Sequence, residues 1–197
     1  MILLIRHGET EGNTSRVIQF PETPLSERGM AQAERLAVRL GELSVAKILV
    51  SDYERAKMTA EPVARTSGAS LHLSPLLRER NFGELRGRAY ADLDFDPFAG
   101  GYQPPGGESW ETFRERVAAA WARIQSVAAT TDGNLAVVTH GLVCHVLAET
   151  HLTLAPEMEW EGGFRNTSVS LIESQAPHRV SLLNCAAHLR TPRHGSA

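Results

Sequence analysis

Short, largely apolar runs, each followed by polar residues, recur at residues 2–5, 46–50 and 134–139. Runs of this length, rich in Ile, Leu and Val, read as strands buried on both faces. Elsewhere the apolar spacing lengthens to that of helices. After Ser26, an N-cap residue type, Met30, Ala33, Leu36, Ala37 and Leu40 fall on one face and Gly41 suits the stop. Ser51-Asp52 reads as the cap of a second helix over residues 53–66. The longest helical pattern runs over residues 108–129 and carries Trp110, Phe113, Val117, Trp121 and Ile124, which read as core. Glu108 fits either a cap of that helix or a pocket mouth. Another helix starts near His140-Gly141. Residues 71–73, 167–172 and 179–183 read as extended, the last two joined around Ala176-Pro177. Residues 6–23 read as loop and short turns, and residues 76–107, rich in Gly, Pro and aromatics, as irregular.

Strands alternating with helices predict an α/β fold, a three-layer α/β/α sandwich with a mostly parallel central sheet. The length of 197 residues suits one domain, expected over residues 1–190, with the polar residues 191–197 a fraying tail. In such sheets ligands bind outside the carboxyl ends of the strands. Three groups of reactive side chains follow three predicted strands: Arg6-His7, Ser51 to Arg55, and His140-Gly141.

Composition narrows the function. A net charge of -3 supplies no field for nucleic acid or an anionic membrane, so a phosphate site must gather its positive charge locally. The apolar start, residues 1–5, lacks a preceding basic segment and is broken by Arg6-His7, unlike a signal peptide. No window approaches the ~20 apolar residues of a membrane span. A cytoplasmic enzyme is the expectation. Cys144 and Cys185 stand in apolar surroundings and read as small core residues rather than half of a disulfide. Asp92, Asp94 and Asp96 resemble the start of a calcium loop but lack its turn glycine, so no metal is expected there.

Phosphoryl transfer needs a nucleophile, cations on the phosphoryl oxygens and an acid for the leaving oxygen. His7 is the candidate nucleophile, and Arg6 beside it offers a planar two-pronged donor. Arg55 lies on the first turn of the second helix, close enough to a strand end to point into the same crevice. His140 stands where a strand ends and a helix begins, a place that favours an anion. Asn13 can donate from its loop. Glu79, within Leu77-Arg78-Glu79-Arg80-Asn81-Phe82-Gly83, is the candidate acid, against the alternative of a solvated charge cluster.

With these residues in place, the chain resembles the histidine phosphatase superfamily, phosphoglycerate mutase-like branch, over nearly all of residues 2–185. The resemblance rests on Arg6-His7-Gly8-Glu9-Thr10 with Asn13, and on Thr23-Pro24-Leu25-Ser26-Glu27-Arg28-Gly29. It extends through the Ser51 to Ala60 helix motif, the Leu77 to Gly83 element and Gly106-Gly107-Glu108-Ser109. Thr139-His140-Gly141 and Asn166-Thr167-Ser168 complete it. The resemblance implies that His7 carries the phosphoryl group. It implies that Arg6, Arg55, His140 and Asn13 hold the oxygens, with Gly141 in the phosphate site, and that Glu79 protonates the leaving alcohol and then activates water. It implies no metal and no cofactor. A second Arg-His-Gly, at residues 193–195, has no strand before it and reads as tail.

The leading expectation is hydrolysis of a small phosphorylated metabolite. The rival is a bisphosphoglycerate-dependent mutase, and the outlying alternative is a non-catalytic phospholigand-binding module. Mutases resemble this chain but carry a longer segment after the acid, whereas residues 85–92 here form a short lid. Tyr90, Phe95, Phe98 and Tyr102 are candidates for a semi-apolar pocket wall, and Arg86 or Arg88 for a second anion. His145 and His151 read as packing or surface residues. A monomer or homodimer is expected, with Ile172 or Leu182 on an edge strand as a dimer surface.

Overall fold

A computed structural model describes residues 1–158 and 163–190 of the chain. The expected tail, with its second Arg-His-Gly, lies outside the described residues. Six strands form one sheet: β1 (Ile2–Arg6), β2 (Val45–Val50), β3 (Ser70–Leu73), β4 (Asn134–Thr139), β5 (Val169–Ile172) and β6 (Val180–Cys185). Their order is β3-β2-β4-β1-β5-β6. The four from β3 to β1 are parallel, β5 is antiparallel to β1, and β6 is antiparallel to β5, so β5 alone runs against the rest.

Alternate side chains of the central strands feed two separate cores. Ile2, Leu4, Leu135 and Val137 pack with Phe113, Val117, Trp121 and Ile124 of α4 (Trp110–Ala129) and Val143 and Leu147 of α5 (Gly141–Thr150). Leu3, Ile5, Ala136 and Val138 pack on the other face with Leu36 and Leu40 of α2 (Glu27–Gly41) and Ala56, Ala60 and Val63 of α3 (Glu54–Ser67). Helices on both faces make the expected three layers, and explain why these strands are apolar on both faces through their middles, at residues 2–5 and 135–138. Each large aliphatic side chain so buried contributes roughly 1.5–3 kcal/mol.

Local details depart from the sequence reading. Met30 is 45% exposed, and the buried face of α2 instead includes Gly29 and Gln32. Gln32 is inside because its Oε1 accepts the Glu9 N–H at 2.9 Å. Tyr53, not Ser51 or Asp52, is the N-cap residue of α3, and Ser109, not Glu108, caps α4. Asn13 belongs to a short helix, α1 (Glu11–Thr14), where it completes a capping box with Thr10. Ile172 is wholly buried inside the sheet because β6 continues it; Leu182, on β6, does lie on an edge strand. Cys144 and Cys185 are free thiols.

The carboxyl ends of β1, β2 and β4 deliver Arg6-His7, Ser51 and His140 to one rim of the sheet. After β3 the chain makes a short turn at Pro75–Leu77, tied to β4 by the Thr139 hydroxyl donating to Leu77 O at 2.7 Å, and presents Glu79 at the same rim.

Candidate active site

His7 is held from several sides. Its N–H donates to Thr139 O at 2.9 Å, extending the β1–β4 ladder by one residue. Its carbonyl accepts from Asn166 Nδ2 at 3.0 Å and Thr167 N at 3.3 Å, which gives the Asn166-Thr167-Ser168 motif a supporting task. The next amide, Gly8 N, donates to Thr59 Oγ1 at 2.9 Å. With the ring 3% exposed, its Nδ1 lies 2.7 Å from Gly8 O, a pure acceptor. The proton therefore sits on Nδ1, and Nε2 keeps its lone pair. Arg55 Nε donates to that Nε2 at 3.3 Å. Burial first, then the Arg55 and Arg6 charges, hold the imidazole well below its usual pKa, so it is neutral near pH 7.

The two guanidiniums approach from different elements. Arg55, on the first turn of α3 and 3% exposed, is braced by its Nη1 donating to Phe20 O at 2.9 Å. Burial lowers its pKa to about 10, which still leaves it charged. Arg6, at the end of β1, donates through Nη1 to Phe164 O, while its buried Nε has no hydrogen-bond partner. Gly141 stands beside it; a Cβ there would come to 3.6 Å from Arg6 Nε, so the arginine's approach to the start of α5 is close but not crowded.

His140 is fully buried, with its ring centroid 5.1 Å from that of His7. Its Nε2 lies 2.8 Å from Ser51 Oγ. Ser51 Oγ already accepts the Tyr53 N–H at 3.3 Å, so its own proton is available to His140 Nε2. The imidazole proton then sits on Nδ1, a buried atom without a protein partner. Among the described residues two of the three such orphaned polar side-chain atoms, Arg6 Nε and His140 Nδ1, belong to this site. Buried donors left unpaired are costly and normally find an acceptor. An anion bound there would supply one.

Glu79 completes the rim. Its Oε1 accepts from Arg80 N at 3.1 Å and its Oε2 from Leu142 N at 3.2 Å, at the start of α5. Burial raises its pKa above the ordinary carboxyl value, against the pull of those two amides and of Arg55 and Arg6. The site thus pairs a neutral imidazole with a carboxyl group biased toward its protonated form.

Arg6, His7, Asn13, Arg55, Glu79 and Gly141 line one cavity of about 590 Å³. His140, expected in the site, is not part of that lining; it is fully buried beside the His7 ring. Asn13 accepts from Thr10 N and from Asn166 Nδ2 through Oδ1, so its amide nitrogen is the end left to donate. Ile18, Phe82, Tyr90, Phe98 and Leu142 form an apolar wall, with Trp110, Arg114 and His145 further along. Sequence reading missed Tyr53, whose ring lies edge-on to His140 at 5.3 Å and beneath Arg55 at 5.1 Å. It also missed the part Ser51 plays for His140.

Other expectations shift. Tyr90 and Phe98 line the cavity, but Phe95 and Tyr102 pack on each other at 4.8 Å outside it. Arg86 lines it and donates to the Tyr53 hydroxyl at 3.3 Å, whereas Arg88 turns away to Asp92 O. His145 lines the cavity, while His151 stacks on Trp121. Trp110 is part of the cavity wall as well as of the packing around α4. Glu108 neither caps α4 nor lines the cavity; it pairs with Arg116 at 2.8 Å. Among the described residues no group of three or more His, Cys, Asp or Glu side chains is arranged to hold a metal ion. Among the same residues no helix is long and apolar enough to cross a membrane.

Known proteins resemble this chain in sequence and in fold. The family model for the histidine phosphatase superfamily (branch 1) matches residues 2–185. The probable phosphoglycerate mutase GpmB of Salmonella choleraesuis is 34% identical over 184 residues, covering 88% of this chain and 85% of that protein. The structure of Bacillus stearothermophilus YhfR superposes with a TM-score of 0.82 at 29% identity, over 96% of this chain and 98% of that one. The alpha-ribazole phosphatase of Shigella flexneri gives 0.80 at 28% identity, over 94% and 96% of the two chains.

Proposed function

The chain belongs to the histidine phosphatase superfamily, branch 1, and from that premise we propose that it hydrolyses a small phosphomonoester through a phosphohistidine on His7. The observation that carries this reading is the His7 ring itself: Nδ1 tied to Gly8 O at 2.7 Å, Nε2 left as a lone pair in the cavity beside Arg55. A neutral imidazole with a fixed tautomer is a nucleophile that needs no separate base.

In the first step the Nε2 lone pair attacks phosphorus as the bond to the leaving oxygen breaks. Glu79 gives that oxygen its proton and becomes a carboxylate. Arg6, Arg55 and His140 Nδ1–H stabilise the three phosphoryl oxygens, with Asn13 and the start of α5 at Gly141 beside them. In the second step Glu79 takes a proton from water, the resulting hydroxide oxygen bonds to phosphorus, and the P–N bond breaks to return neutral His7. The arginines supply positive charge where other phosphatases use metal ions, so the reaction is expected to run without metal.

The outer cavity supports hydrolysis of an ester with one phosphate and a largely apolar remainder. Ile18, Tyr90, Phe98 and Leu142 offer apolar surface. The arginines beyond the phosphate end already have partners: Arg86 has the Tyr53 hydroxyl, Arg114 pairs with Glu149 at 3.6 Å, and Arg80 donates to carbonyls. A mutase must hold a second anionic group while it returns the phosphoryl group. The name of the Salmonella relative keeps that second reading in view.

Two assays separate the readings. Hydrolysis of p-nitrophenyl phosphate that persists in EDTA and disappears in His7→Ala supports the phosphatase; full activity in His7→Ala overturns it. Fast isomerisation of 3-phosphoglycerate with its bisphosphate, with little phosphate release, favours the mutase.

A further inference from the structure

Arg116, one side of α4 away from the cavity, has an acceptor for each of its five N–H groups. Nε and Nη2 form a two-pronged pair with Glu108 Oε1 and Oε2, both at 2.8 Å. Nη1 donates to Leu76 O at 2.9 Å and Arg78 O at 2.8 Å, and Nη2 also to Glu79 O at 3.2 Å. One guanidinium thus grips three carbonyls of the strand-to-turn segment that carries the acid.

Glu108 grips the other side of that segment. Its Oε2 accepts the Asn81 N–H at 2.7 Å, its own N–H donates to Asn81 O at 2.8 Å, and its carbonyl accepts from Arg80 Nε at 3.2 Å. Burial opposes a charged Glu108, but the Arg116 hydrogen bonds, the Asn81 amide and the two arginine charges outweigh it, and the carboxyl stays below its ordinary range. The backbone is therefore held at residues 76, 78, 79 and 81 by one ion pair with side chains 18% and 16% exposed. Neither Glu108 nor Arg116 is part of the cavity lining.

We propose that Glu108 and Arg116 are positioning residues for the acid: their ion pair fixes the backbone on both sides of Glu79, so that the carboxyl reaches the leaving oxygen. A packing-only role would need neither a matched fork nor three further donors aimed at one loop. A two-pronged pair with three further acceptors is a geometry that lysine, a point charge with three donors, cannot copy. The inference rests on the proposed role of Glu79 as acid.

The test compares two substrates through kcat/KM, which reports the step in which the ester oxygen leaves. The p-nitrophenolate of p-nitrophenyl phosphate departs without a proton, whereas the alkoxide of benzyl phosphate needs one. General acid catalysis is worth about 10²–10⁴, so Glu79→Gln is expected to lower the benzyl to p-nitrophenyl ratio by ~100-fold. Glu108→Gln and Arg116→Lys are expected to lower the same ratio by ~10-fold. In the Glu79→Gln background, Glu108→Gln should lower it no further, because residues acting through one another are not additive. Equal loss on both substrates in Glu108→Gln and Arg116→Lys, or a further drop of the ratio in the double variant, overturns the positioning role. An unchanged ratio in Glu79→Gln would instead remove the acid assignment, and the inference with it.

Discussion

Arg55 Nε lies 3.3 Å from His7 Nε2, so the lone pair proposed to attack phosphorus is already covered by the donor proposed to hold the phosphoryl oxygens. On that proposal, the oxygens of an entering phosphate would take over that N–H and expose the nucleophile. The contact joins the first turn of α3 to the residue after β1. It explains why both side chains are buried together.

The arginine at this position is expected to be irreplaceable. Arg55→Lys keeps a charge but loses the Phe20 O contact and the fork, and well-placed donors of this kind are worth about 10²–10³ in rate. Steady-state kinetics should therefore show kcat reduced by about that factor. A kcat within a few-fold of wild type would contradict the assignment.

Ser51 is expected to act through His140. Ser51→Ala removes the hydroxyl 2.8 Å from His140 Nε2 and frees the imidazole to place its proton on either nitrogen. Losing such a neutral hydrogen bond costs about 0.5–1.5 kcal/mol, or roughly 10-fold at the upper end, in kcat/KM. Thermal unfolding measured alongside separates this from loss of fold. Wild-type kcat/KM in a folded Ser51→Ala protein would show that the tautomer does not matter.

The pH dependence follows from two opposite requirements. His7 must be neutral, and its pKa lies well below the ordinary 6.5, so activity is lost only as pH falls far beneath that value. Glu79 must carry a proton, and its pKa is raised above 4.5, so kcat/KM declines as pH rises through that raised value. The expected profile is a bell whose alkaline limb vanishes in Glu79→Gln. An alkaline limb that survives in this variant contradicts the assignment of the acid.

Much of this site was legible in the chain because its residues follow apolar runs. His7, Ser51 and His140 each come directly after or near a strand that reads clearly as such, and a parallel sheet brings such ends together. Arg6, Asn13, Arg55, Glu79 and Gly141 all reach the same cavity. What stayed hidden depends on partners distant in sequence. Ser51 meets a histidine 89 positions away, and Arg116 meets carbonyls 37 to 40 positions away. Helical periodicity also counts residue type and not partner, so it put Met30 inside and overlooked Gln32, which is buried to receive the Glu9 amide. Likewise a local apolar pattern cannot say that β6 covers β5.

Gly29 shows a packing demand that a motif string does not reveal. A Cβ there would stand 2.0 Å from Glu9 O, pressing α2 off the loop that follows His7. Backbone cannot yield as a side chain tip does, and overpacking of this kind costs about 1–3 kcal/mol. Gly29→Ala is expected to lower the melting temperature by roughly 2–4 °C per kcal/mol. An unchanged melting temperature would mean that the loop has room to move.

The phosphohistidine itself is the most direct test. The protein is mixed with a ³²P-labelled phosphomonoester, quenched in alkaline denaturant within one turnover, and digested for peptide mapping. The account expects an acid-labile, alkali-stable label on the peptide holding His7, absent in His7→Ala and accumulating in Glu79→Gln as water attack slows. Rapid hydrolysis with no label on that peptide, in wild type and in Glu79→Gln alike, would contradict it.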